Sequence, residues 1–166
     1  IHAHPELAFS EVRTAKVVAC ELARCGLEVD RGLARTGVVG ILRKGDSSRA
    51  IGLRADMDAL PLREKNDFPH RSRNDGRMHA CGHDGHTAIL LGAARYLAET
   101  KNFDGTVHLI FQPAEEDISG AKRMIEEGLF KRFPCDAVFA LHNIPGDETG
   151  QISVRGGAIT AAVDIV

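Results

Sequence analysis

Residues 106–117 read Thr106-Val107-His108-Leu109-Ile110-Phe111-Gln112-Pro113-Ala114-Glu115-Glu116-Asp117. The apolar run Thr106 to Phe111 predicts a buried β-strand. Gln112-Pro113 predicts its end, because proline has no N–H to give to a sheet ladder. Three acids then follow. In an open α/β sheet, ligands gather just beyond the carboxyl ends of the strands. This one stretch therefore bears on fold and on function together. Taken alone, the acids would read as a solvated turn, so the rest of the chain has to decide between the two.

Outward from that strand the pattern alternates. Val12, Ala15, Val18, Ala19, Leu22 and Ala23 recur at helical spacing and predict a helix over Ser10 to Cys25, with Gly26 placed to close it. Thr87 to Glu99 and Ala121 to Glu127 predict two more, the last closed by Gly128. Val38 to Leu42 and Ile51 to Ala55 are β-prone. With the turn residues Gly45-Asp46-Ser47-Ser48 between them they read as a hairpin. Leu60 to Met78 is polar, contains two prolines and predicts a long surface loop, a kind of segment that is often functional. Ala137 to Leu141, Gln151 to Val154 and Ile159 to Val166 are expected to be later strands. Helices alternating with apolar strands argue for a layered α/β sheet, and the early hairpin makes that sheet mixed.

Composition sets the outer limits. A chain of 166 residues, 43% hydrophobic and 27% charged, is globular and long enough for one domain, or one and part of another. Twenty-one basic residues against 23 acidic leave no positive excess to grip a phosphate backbone, so no nucleic-acid partner is expected. The longest apolar run, Ala88 to Ala94, falls far short of the ~20 residues that cross a bilayer, so no membrane partner is expected either. The chain opens at Ile1, polar and without a signal-peptide pattern, and closes on a strand-like run. Both ends are expected to be cuts in a longer protein. The four cysteines, Cys20, Cys25, Cys81 and Cys135, form no C-x-x-C pair and suggest neither a disulfide framework nor a zinc ribbon. Cys20 and Cys25 read as small core residues of the first helix. Reduced thiols and a cytoplasmic location are the simplest expectation.

The densest chemistry lies in His79-Ala80-Cys81-Gly82-His83-Asp84-Gly85-His86. A polar loop capping a helix accounts for Asp84 and the glycines. It does not account for Cys81 and His83 together, a thiol and an imidazole within reach of one cation or of two neighbouring ones. Glu115 and Glu116 follow a strand, and so does His142 in Leu141-His142-Asn143-Ile144-Pro145-Gly146. Adjacent glutamates can divide the work, one ligating while the other moves protons. Asp56 and Asp58 close the strand Ile51 to Ala55. They read either as turn formers or as acceptors for the free N–H of a ligating imidazole. A mixture of sulfur, nitrogen and carboxylate oxygen suits Zn²⁺ or Mn²⁺ and tolerates Co²⁺ or Ni²⁺. A cysteine hydrolase with Cys81 as nucleophile is the rival reading, and a non-catalytic metal-binding module is another.

These segments also carry a resemblance. His4-Pro5-Glu6-Leu7, Arg54 to Pro61, His79 to His86, Phe111 to Glu116 and Leu141 to Gly146 resemble the dinuclear-metal amidohydrolases, a group that includes hippurate hydrolase, bacterial aminoacylases and the plant hydrolases of auxin–amino-acid conjugates. The resemblance implies a three-layer α/β/α catalytic domain with a mixed, mostly parallel sheet, formed in part by residues 1–157, with 158–166 opening a lid domain that mediates homodimerisation. It implies two divalent metal ions held by Cys81, His83, Glu116 and His142, with Glu115 as general base and Asp58 and Asp56 supporting the ligands. It implies hydrolysis of the amide bond of N-acyl amino acids by metal-activated water. A dipeptidase or deacetylase on the same scaffold is the alternative. The family's last ligating histidine and the lid's substrate-contacting histidine have no counterpart among these residues.

Overall fold

The computed structural model describes residues 1–117, 119–146 and 148–157. Helix α1 spans Val12–Arg24, strand β1 Glu28–Leu33, β2 Gly37–Lys44 and β3 Ala50–Asp56. Helix α2 spans His83–Thr100 and β4 Gly105–Gln112, followed by α3 Gly120–Glu126, α4 Leu129–Arg132 and β5 Ala137–Ala140. The strands lie in one sheet in the order β1-β2-β4-β3-β5.

Alternation along the strands builds the layers. Val107, Leu109 and Phe111 of β4 point to one face, where they pack with Val18 and Leu22 of α1 and Leu90 and Ala94 of α2. Ile110 points to the other, against Met124 of α3 and Leu129 of α4. The result is the expected three-layer α/β/α arrangement. β4 is buried along nearly its whole length, as a central strand covered on both faces must be.

The sheet is mixed, with an even balance. β1 with β2 and β2 with β4 are antiparallel; β3 with β4 and β3 with β5 are parallel. The hairpin expected between Val38 to Leu42 and Ile51 to Ala55 does not form. β4 inserts between the two, in register with both, because the most apolar strand takes the central position. The real hairpin joins β1 to β2 through Ala34 and Arg35, both at positive φ. Strand β1 (Glu-Val-Asp-Arg-Gly-Leu) is too polar to declare itself, because it is an edge strand with half its length in solvent.

Three smaller differences follow. α2 begins at His83 rather than Thr87, so the Cys/His cluster runs into a helix. Cys20 is exposed, because the buried stripe of α1 runs through Val18, Ala19 and Leu22 on the other side. Gln151 to Val154 forms no strand. The strand expected over Ile159 to Val166 lies outside the described residues. Leu60 to Met78 is the long loop predicted, tied at its ends by a single Leu60–Met78 bridge. Among the described residues no helix is long and apolar enough to cross a membrane.

The parallel strands β4, β3 and β5 end at the same edge, at Gln112, Asp56 and Ala140. The chain segments leaving that edge carry Glu115, Glu116, Asp58 and His142. The N-terminus of α2 arrives beside them.

Candidate metal centre

The site begins with a glycine. Gly82 precedes α2 at φ +92°, and a Cβ there would collide with the side-chain oxygen of Asn143. Only glycine allows the chain to turn so tightly between Cys81 and His83. His83 and His86 then lie on the first turn of α2, three residues apart and on one face.

Both imidazoles are fixed from behind. His83 Nδ1 lies 2.9 Å from the Asp58 carbonyl oxygen and 3.3 Å from Asp58 Oδ1. It therefore donates backward and presents its Nε2 lone pair forward. His86 Nδ1 donates to Asp56 Oδ1 at 2.7 Å, and its Nε2 meets Asn143 Oδ1, also at 2.7 Å. Arg54 ties the same edge together, donating to Asp56 Oδ2 and to Gln112 Oε1, each at 2.8 Å. Burial opposes the ionisation of Asp56, but the bond from His86 and the charge of Arg54 hold its pKa down at about 2. His83 is pushed the other way. Burial disfavours its charge, yet the bond to Asp58 and the charges of Asp56 and Asp58 raise its pKa overall.

In front of His83 the picture changes. Its Nε2 is buried without a hydrogen-bond partner, and so is Oε1 of Glu116. Around that nitrogen stand Asp56 Oδ2 at 3.6 Å, Glu115 Oε2 at 3.7 Å and Glu116 Oε1 at 3.7 Å. Cys81 Sγ lies 3.4 Å from His142 Nε2, whose ring donates from Nδ1 to the Asn143 carbonyl at 2.7 Å. Three sets of donor atoms, each within 4.8 Å of one another, share His83: Cys81 with His142, Asp56 with His86, and Glu115 with Glu116. Buried polar atoms in native proteins are almost always paired. An unpartnered imidazole nitrogen and an unpartnered carboxylate oxygen, with a thiol, a second imidazole and further carboxylates beside them, fit a divalent cation.

The charges agree. Burial and the carboxylates of Glu116, Glu115 and Asp56 push the Cys81 thiol up to about 12. Burial raises Glu116 as well, with the charge of His83 opposing. A thiol held protonated by surrounding carboxylates is a poor nucleophile, which counts against the cysteine-hydrolase reading. A cation in that space reverses the local field.

Residues 52–164 match the model of peptidase family M20/M25/M40. The chain belongs to that family. Over 164 residues it is 53% identical to the hippurate hydrolase of Campylobacter jejuni, which covers 99% of this chain and 43% of that protein. It is 44% identical over 166 residues to an IAA-amino acid hydrolase, ILR1-like 2, of Arabidopsis thaliana, covering 99% of this chain and 37% of the relative. Among solved structures it is similar to the Bacillus subtilis YXEP protein, described as a dinuclear metal binding peptidase from the M20 family. That likeness has a TM-score of 0.83 and 41% identity, over 87% of this chain and 40% of the other. The chain thus spans about two fifths of the relatives it matches.

The M20 chain brings Cys81, His83, Glu115, Glu116 and His142 to one place, with Asp58 behind His83 and Asp56 between the Nε2 of His83 and the Nδ1 of His86. Two participants went unassigned in the sequence. His86 joins Asp56 and His83 in one donor set, and its i, i+3 spacing from His83 on a helix was the available signal. His2 bonds Asp84 at 2.8 Å and Glu64 at 3.1 Å, clamping the long loop to the start of α2. His79 is buried with neither ring nitrogen partnered, and burial drives its pKa down to about 4. His70 stacks on Phe68 within the loop, and His108 packs on Phe133.

Proposed function

We propose that this chain is the metal-holding part of an amidohydrolase that cleaves the amide bond of N-acyl amino acids. The observation that carries the reading is the buried, unpartnered Nε2 of His83 facing a thiol, an imidazole and a carboxylate pair. The names of the hippurate hydrolase and the IAA-amino acid hydrolase support the substrate class, since hippurate and an IAA–amino acid conjugate are each an amino acid carrying an acyl group through an amide.

Cys81, His83, Glu116 and His142 are the residues that would hold divalent cations, with zinc or manganese best suited to the mixed donor set. When bound, such ions supply Lewis acidity, which polarises a carbonyl and acidifies water. Glu115 is the general base. It is the more exposed of the two glutamates, at the open side of the site, so its carboxylate is free to take a proton from attacking water and return it to the leaving nitrogen. Transfer of this kind is worth about 10²–10⁴-fold in rate. Asp58 fixes the His83 tautomer and accepts the Glu116 N–H at 3.0 Å, so one carboxylate orients both a nitrogen and an oxygen donor.

The paired test uses the intact protein. Glu115→Gln should leave metal content unchanged and lower kcat on N-benzoyl or N-acetyl amino acids by about 10²–10⁴-fold. Glu116→Gln should lower metal content itself. Normal turnover in Glu115→Gln would remove the base assignment. The solved neighbour's description as a peptidase favours a second reading, a dipeptidase. Faster turnover of dipeptides than of N-acyl amino acids would select it.

A further inference from the structure

Glu11 takes no part in the chemistry above, yet it is a carboxylate with no solvent exposure at the start of α1. Burying such a group is costly unless its oxygens are bonded. Both are. Oε2 accepts the Thr36 hydroxyl at 2.6 Å, and Oε1 accepts the Ala114 N–H at 2.9 Å, across 103 residues of sequence.

Ala114, the donor in the second of these bonds, is an unusual residue. It is fully buried and sits in the left-handed region at φ +50°, where a side chain crowds the following carbonyl. It forms the corner between the end of β4 and the two glutamates. Its carbonyl accepts the Gly120 N–H at 3.1 Å, and a Cβ at Gly120 would collide with the Pro113 carbonyl. The corner is therefore gripped at its N–H by Glu11 and at its C=O by Gly120. Without Glu11 the Ala114 N–H would be buried unpaired, and the strained corner would lose what holds it. Glu115 and Glu116 are the next two residues, so a rotation at Ala114 re-aims both carboxylates.

We propose that Glu11 is a positioning residue for the metal centre: its buried carboxylate pins the left-handed Ala114 corner and so sets where Glu115 and Glu116 point. This rests on the reading of Glu116 as a metal ligand.

The test measures cobalt(II) binding to the intact protein, following the thiolate-to-cobalt absorption that reports Cys81. Glu11→Ala should weaken cobalt affinity by about 10–100-fold, the usual cost of losing a group that orients a ligand. Glu11→Gln keeps an acceptor for Ala114 and a partner for Thr36, and should stay within a few-fold of the unaltered protein. Adding Ala114→Gly to Glu11→Ala should recover most of the loss, because glycine enters the left-handed region without strain. A role in packing alone would not be relieved by that second change. Thr36→Val, which removes the hydroxyl and keeps the volume, carries the test if Glu11→Ala does not fold. It should weaken cobalt severalfold and be relieved by the same glycine. Unchanged affinity in folded Glu11→Ala, or no relief by Ala114→Gly, overturns the proposal while leaving the metal centre standing. Absence of cobalt uptake by the unaltered protein overturns the metal-centre reading and this proposal with it.

Discussion

Asp56, Asp58, His83 and His86 form the floor of the site, all buried and tied to one another or to backbone. Cys81, Glu115, Glu116 and His142 form its rim a few ångströms away, half-buried or exposed, with fewer bonds among them. The floor uses its carboxylates to orient imidazoles, whereas the rim leaves sulfur, nitrogen and oxygen donors facing a common space. The difference separates two tasks within one cluster of like residues: the floor determines geometry and the rim meets whatever enters. Charge follows the same division, since Asp56 is held ionised at about 2 while Cys81 is held protonated at about 12.

The strongest way to break this comparison is to remove the floor imidazole that belongs to all three donor sets. His83→Ala should reduce bound metal from stoichiometric to background, measured by elemental analysis on protein shown by circular dichroism to be folded. Retention of full metal content would mean that His83 is not a ligand. A smaller effect should come from behind the ligands. Asp58→Ala deletes the acceptor that holds Glu116 N–H and one of the two that hold His83 Nδ1–H, and should weaken metal binding by about 10–100-fold with little change in the thiolate–cobalt absorption. Equal affinity in the variant would make Asp58 a turn former only.

The mildest test concerns protons at the rim. The metal-free Cys81 thiol is protonated and the ligated form is a thiolate, so uptake of a cation must release that proton. Affinity should therefore rise about tenfold per pH unit above the range where imidazoles titrate. Calorimetry in buffers of different ionisation enthalpy counts the proton directly. Cys81→Ala should flatten the slope, and an unchanged slope in that variant would assign the proton elsewhere.

Much of the floor-and-rim plan was legible in the residues. Acids and a histidine directly after apolar runs marked Asp56, Asp58, Glu115, Glu116 and His142 as strand-end residues, and the parallel pairing of β4, β3 and β5 is what brings those ends to one edge. The Cys81-Gly82-His83 run stood out by composition alone. What could not be read was non-local. Strand β1 is polar because it lies at an edge. The wrong hairpin arose because adjacency in sequence is a fair guide to pairing until a more apolar strand competes for the place between. The start of α2 was set four residues late, because Gly82 and Gly85 are weak helix formers and tertiary bonds from Asp56 and Asp58 hold the first turn instead. Glu11 gave no sign of its reach to Ala114, since a lone acid before a helix looks like any other.

The three donor sets have one residue in common, His83, whose Nε2 faces the carboxylates of two of them, and an imidazole nitrogen has a single lone pair. Whichever cation arrives first takes that nitrogen, and the other two sets are each reduced to a pair. A second ion must then settle for a poorer coordination sphere, richer in oxygen or short of one nitrogen. Occupancy of this cluster should be stepwise and unequal, with one tightly held ion and one that exchanges readily with the surrounding solution.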